Sequence, residues 1–129
     1  MKIARFLKDG QTRYGVVEED GLYPCEGNPF EGLTKRGERL PIDSVKLLAP
    51  VVPPNIIALG LNYRAHADES HGKYPTEPLM FLKATTSLTN PGDPIVLPLD
   101  YPDSIDYECE LAIVISGRAK HVPEEEVPK

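Results

Sequence analysis

Asp106-Tyr107-Glu108-Cys109-Glu110-Leu111-Ala112-Ile113-Val114-Ile115 sets two carboxylates one residue apart at the head of an apolar run. Strand residues show alternate faces. The pattern therefore predicts a strand over 106–115 with Glu108 and Glu110 side by side, Asp106 in line, and Cys109, Leu111, Ile113 and Ile115 turned into a core. Adjacent carboxylates repel each other and cost free energy to bury, so a positive charge between them is favourable. Oxygen-only ligands suit magnesium, manganese or calcium better than zinc. The competing reading of an isolated E-x-E is the solvated face of an edge strand.

Length and composition bound what surrounds this stretch. The 129 residues, 40% of them hydrophobic, suffice for one modest domain or for a small domain and part of another. A net charge of −6 with no clustered Lys/Arg stripe argues against nucleic acid as the main partner. No segment has the apolar length of a signal-peptide core or a membrane span, so no membrane association and a cytoplasmic location are expected. The only cysteines, Cys25 and Cys109, lie far apart without metal-ligand spacing, and reduced thiols follow as the default. Fourteen prolines, gathered around 50–54, 75–102 and 123–128, favour turns and strand ends over long helices.

Working outward, residues 1–48 read as a small β-rich unit, with strands over 2–7, 12–17 and 21–24 separated by Asp9-Gly10 and Asp20-Gly21 turns. A further pairing segment is expected over 42–48. Ala49-Pro50-Val51-Val52-Pro53-Pro54 reads as an extended linker, which places a boundary at 49–54. Beyond it, 55–59 is a short strand ending at Gly60, 62–70 is helical in character, and 79–83 and 95–97 are strands, the last after the turn Asn90-Pro91-Gly92-Asp93. After Gly117, Pro123 followed by Glu124-Glu125-Glu126 has the composition of a helix's first turn. A helix begun just before Lys129, following a strand in need of partners, leads to the expectation that 55–129 is the first part of a longer domain.

A second constellation lies in Leu61-Asn62-Tyr63-Arg64-Ala65-His66-Ala67-Asp68-Glu69. His66 and Glu69, at i and i+3, share one face of a helix. A carboxylate beside an imidazole holds the tautomer and raises the ring's basicity, as a water-activating base requires. Taken alone the pair is equally a surface contact, and His71 and His121 read as surface histidines. No H-E-x-x-H, G-x-S-x-G or glycine-rich phosphate loop is present. Cys109 reads as core rather than nucleophile.

The order Gly60-Leu61-Asn62-Tyr63 with His66 and Glu69, then Phe81-Leu82-Lys83, then Pro91-Gly92-Asp93-Pro94-Ile95, then Asp106-Tyr107-Glu108-Cys109-Glu110-Leu111 resembles the fumarylacetoacetate hydrolase family from about residue 55 onward. Residues 1–48 resemble the small N-terminal domain carried by many bacterial members. The resemblance implies a mainly β fold with minor α, a mixed β-sandwich roll present here in part, usually in a homodimer. It implies divalent-metal-dependent chemistry on small oxo or diketo acids: carbon–carbon bond hydrolysis, decarboxylation or dienoate isomerisation. Glu108 and Glu110 match two family metal ligands, for Mg2+ or Mn2+ with Ca2+ as a further candidate, and His66 and Glu69 match its water-activating dyad.

Lys83 matches the lysine of the family's F-x-K stretch, although Ala84 follows where proline is usual. Tyr63, Arg64 and Lys83 are the candidate substrate contacts, and Asp106 is expected behind the metal ligands rather than among them. The family's further aspartate ligand and catalytic lysine have no counterpart in this sequence. An alternative expectation follows, a catalytically inactive fragment or interaction module that self-associates through exposed strand edges. A calcium-binding structural domain built on the acidic 103–110 stretch lacks the EF-hand pattern and leaves His66 and Glu69 unexplained.

Overall fold

The computed structural model describes residues 1–127. Its first sheet is built from β1 (Lys2–Lys8), β2 (Gln11–Glu18), β3 (Gly21–Asn28), β4 (Gly32–Lys35) and β5 (Lys46–Leu48), in the spatial order β4-β3-β2-β1-β5. All its pairings are antiparallel. The β1–β2 register ends at Lys8↔Gln11, leaving Asp9 and Gly10 as a two-residue loop with both φ positive, 48° and 74°. That primed-turn geometry matches strand twist, and Asp-Gly is among the sequences that adopt it readily.

Register explains the core. Phe6 on β1 and Leu22 on β3 lie on one face and are the two largest fully buried side chains. Gly15 makes room for the latter, because a Cβ there would stand 2.9 Å from Leu22 Cδ2 and 2.8 Å from the Tyr23 carbonyl oxygen. Leu22 also exchanges backbone hydrogen bonds with Leu40 at 2.9 and 2.8 Å, tying the 36–40 loop over the sheet. Val16 and Cys25 are buried on the opposite face.

Next come β6 (Ile56–Gly60), α1 (Arg64–Glu69) and β7 (Leu79–Lys83), with β6 and β7 forming an antiparallel two-stranded sheet. Short 3-10 turns occupy Ile42–Ser44, Thr85–Ser87 and Glu124–Glu126. The chain divides into a unit of Met1–Ile95 and a second one from Val96 onward. The architecture is mainly β with little helix, as the sequence led us to expect.

Several elements differ from expectation. Strand β4 has no counterpart among the sequence expectations; it pairs with β3 through the register Asn28↔Gly32, with Gly27 at φ 106°. The strand expected over 42–48 is a 3-10 turn followed by the three residues of β5. Residue 49, the first of the expected extended linker, is buried, its N–H held by Asn90 and its carbonyl by Arg5. The strands expected over 95–97 and 106–115 do not form. Alternation states which faces a strand would have, but a strand exists only where another ladder meets it, and neither run belongs to either sheet. Cys109 is consequently exposed rather than core, and Leu111, Ile113 and Ile115 remain 80%, 78% and 73% exposed.

Candidate functional site

Local geometry around α1 follows from the chain's turns. Leu61, immediately after β6, has φ 49°, a left-handed conformation that reverses the chain toward the helix. A bulky residue there is strained by about 1–2 kcal/mol, and such strain concentrates at functional positions. The helix is only six residues long, too short to stand without tertiary support. Its underside is anchored by Ala67, which is fully buried.

The C-terminal end is closed by a Schellman arrangement. Gly72 N–H donates to the Ala67 carbonyl at 2.9 Å and His71 N–H to the Asp68 carbonyl at 3.1 Å. His71 takes the left-handed position, φ 52°, where glycine is usual. The Ser70 hydroxyl donates to the carbonyls of His66 (2.8 Å) and Ala67 (3.2 Å). Beyond the turn, the Tyr74 hydroxyl donates to Asp68 Oδ1 at 2.6 Å. The hydrogen bond to Asp68, reinforced by partial burial, raises the Tyr74 phenol above its ordinary value of 10.0.

These segments border an open hollow of about 400 Å3 lined by residues 59–62, Arg64 and residues 74–79. Its polar contributors are Asn62, Arg64, Tyr74, Thr76 and Glu77, a mixture able to bind a small polar molecule with a carboxylate on the guanidinium. Of the expected site residues, Arg64 lines this hollow directly. His66 and Glu69 sit one turn apart on the same helix, and Tyr63 precedes the helix as its N-cap residue. Lys83 ends β7 opposite Ile56, with Nζ 5.9 Å from the Phe81 ring centroid.

Glu108 and Glu110 lie in the second unit, in a stretch without regular structure, so their side-by-side presentation is not enforced by a strand. No group of three or more His, Cys, Asp or Glu suited to a metal occurs among the described residues. Two carboxylate side chains are nevertheless a chemically suitable partial donor set for magnesium or manganese, ions that retain several waters and often take only one or two protein carboxylates. Sequence reasoning missed Tyr74 and Asp68. Six residues of separation across a turn follow no periodic rule, and only the fold joins them.

The fold and this arrangement define a class: a mainly β protein with a short helix that bears an imidazole and a carboxylate and lends an arginine to a small polar hollow. Residues 55–129 match the family described as fumarylacetoacetate (FAA) hydrolase C-terminal, and residues 1–50 the family described as Rv2993c-like, N-terminal. The chain belongs to the fumarylacetoacetate hydrolase family. It is 34% identical to the 2,4-didehydro-3-deoxy-L-rhamnonate hydrolase of Sphingomonas sp. (strain SKA58) over 98% of this chain and 48% of that protein. Identity is 37% to the mitochondrial oxaloacetate tautomerase Fahd2a of Rattus norvegicus, over 93% of this chain and 34% of that one. Among solved structures, a 5-carboxymethyl-2-hydroxymuconate delta-isomerase from Mycobacterium smegmatis superposes with a TM-score of 0.64 at 32% identity, covering 78% of this chain and 39% of that one. The chain thus spans about half or less of the length of these relatives. Among the described residues no helix is long and apolar enough to cross a membrane.

Proposed function

We propose that this chain carries part of the machinery of a divalent-metal-dependent enzyme that transforms small oxo or diketo acids through an enol or enolate. The observation that carries this reading is α1, which lends Arg64 to the hollow and bears His66 and Glu69 one turn apart. The names of the relatives support it, since a hydrolase, a tautomerase and an isomerase of such acids share one electronic requirement, a carbonyl able to accept an electron pair from the neighbouring carbon.

In this reading Arg64 binds a substrate carboxylate and orients the oxo group. Glu69 holds the His66 ring, and His66 takes a proton from water or from the substrate carbon. In hydrolysis, the hydroxide oxygen bonds to the attacked carbonyl carbon and the adjacent carbon–carbon bond breaks. Its electron pair passes into the enolate, and the proton held on His66 returns to carbon. In tautomerisation the same base moves a proton between carbon and oxygen, with no bond between heavy atoms broken. Glu108 and Glu110 would hold Mg2+ or Mn2+, and that ion supplies Lewis-acid stabilisation of the developing oxyanion. Tyr63 and Lys83 are proposed to flank the substrate. A homodimer in the cytoplasm completes the proposal.

The test combines metal binding and turnover on one preparation. Calorimetric titration of the purified chain with MnCl2, compared with Glu108→Gln/Glu110→Gln, should show binding that the double variant loses. Turnover of oxaloacetate and of an acylpyruvate should fall in His66→Gln and Glu69→Gln. Manganese binding unaltered in the double variant would overturn the ligand assignment, and turnover unaffected by the His66 and Glu69 changes would overturn the dyad.

A second reading is favoured by one observation. On β6–β7, Ile57, Met80 and Leu82 share a sheet face and are 64%, 71% and 72% exposed. An open apolar sheet face of this kind promotes association, which agrees with a non-catalytic interaction module. Self-association without turnover or manganese binding would select that reading.

A further inference from the structure

The hollow is bordered by 59–62, by α1 through Arg64 and by the 74–79 segment, and a side-chain hydrogen bond links the last two. Asp68 is one helical turn beyond Arg64, at i+4, and therefore on the same side of the helix. Its Oδ1 accepts the Tyr74 hydroxyl at 2.6 Å, and Tyr74 itself lines the hollow. The bond closes a ring of chain from 68 to 74 already narrowed by the paired Ala67–Gly72 and Asp68–His71 hydrogen bonds. Asp68 stands between His66 and Glu69 on the same six-residue helix.

We infer that Tyr74 is a positioning residue: through Asp68 it holds α1 against the 74–79 segment and so sets where His66 and Glu69 stand relative to the hollow. This rests on the proposed role of that pair in turnover. A six-residue helix lacks the length to be stable alone, and a hydrogen bond to a carboxylate is about twice as strong as a neutral one. The phenol thus supplies order that α1 does not generate itself. Arg64, Thr76 and Glu77 at the hollow are oriented by the same tie, because it joins the two segments they belong to.

Three variants of the full chain separate this role from simple packing. Tyr74→Phe keeps the ring and removes the donor. Asp68→Ala removes the acceptor, and Asp68→Asn retains an Oδ1 able to accept the same bond. Amide hydrogen exchange at residues 70–72 should quicken by about three- to tenfold in Tyr74→Phe and Asp68→Ala, the scale of one lost hydrogen bond. Asp68→Asn should restore wild-type exchange. The His66 ring-proton NMR shifts should move in the first two variants and return in the third.

With oxaloacetate as the probe substrate, Tyr74→Phe should lower kcat several-fold and leave KM nearly unchanged, as expected when a reacting group rather than a binding contact is displaced. Unchanged exchange and His66 shifts in Tyr74→Phe would overturn the inference, as would unchanged kcat in a chain whose wild type turns over. A wild type with no turnover would overturn the functional reading instead, while the exchange and His66 measurements still decide whether Tyr74 holds the helix.

Discussion

Asn90 Oδ1 accepts the backbone N–H of Ala49 at 3.0 Å across 41 residues of sequence. The same side chain donates from Nδ2 to Asp93 Oδ2 at 2.7 Å, and Asp93 Oδ1 receives the Lys46 ammonium at 2.8 Å. Arg5 Nη1 completes the cluster by donating to the Ala49 carbonyl at 3.2 Å. One side chain therefore joins the end of the first sheet to the turn at 90–93, a tie that neither the extended-linker reading of 49–54 nor the turn composition of 90–93 contains.

Removing that side chain has a definite cost. Asn90→Ala leaves the buried Ala49 N–H without its acceptor, and a buried donor so stranded costs about 1–3 kcal/mol. Urea unfolding should show a lower midpoint by that amount, with an unchanged slope if only the folded state is affected.

Asp93 makes a pH prediction. The Lys46 hydrogen bond first, and Asn90 second, hold its carboxyl below the ordinary value of 3.8. A depressed folded-state value means the contribution to stability is fully present above 3.8 and is lost as pH falls through the folded value. Carbon-13 NMR titration should place Asp93 below 3.8 in the wild type and move it back up in Lys46→Met, and the variant should lose less stability than the wild type on acidification over that interval.

His71→Gly should stabilise the chain. The left-handed φ of 52° is costly for histidine and free for glycine, while glycine's larger unfolded-state entropy returns part of the gain. A net increase of about 0.5 kcal/mol is expected, read as a higher thermal midpoint, with the Schellman hydrogen bonds preserved.

Leu22→Ala tests the core. Leu22 is fully buried beside Gly15, and deletion of a buried leucine side chain costs about 2–5 kcal/mol. The companion change Gly15→Ala should also destabilise, because its Cβ meets the Tyr23 carbonyl oxygen at 2.8 Å, closer than the backbone tolerates without shifting. Chemical denaturation of both variants checks the pair, and their effects should not add, since the two residues share one space.

Features legible from residues alone are local or depend on order along the chain. Asp9-Gly10 sets a two-residue turn because those residues tolerate positive φ, and β1 and β2 follow from it. The short apolar runs at 56–60 and 79–83 are strands, and the polar run with His66 and Glu69 is a helix. The succession of motifs identified the family without any structure. Features that depend on partners far away in the chain emerged only on folding. It left 106–115 outside both sheets despite the polar/apolar alternation at its head and the apolar run that follows, because a ladder needs a second strand to supply donors and acceptors. It buried Ala49 by bringing Asn90 to it, and it joined Tyr74 to Asp68 across a hollow that no periodicity foretells. Turn chemistry is written in neighbouring residues; pairing, burial and cavity shape arise only when segments separated in sequence come together.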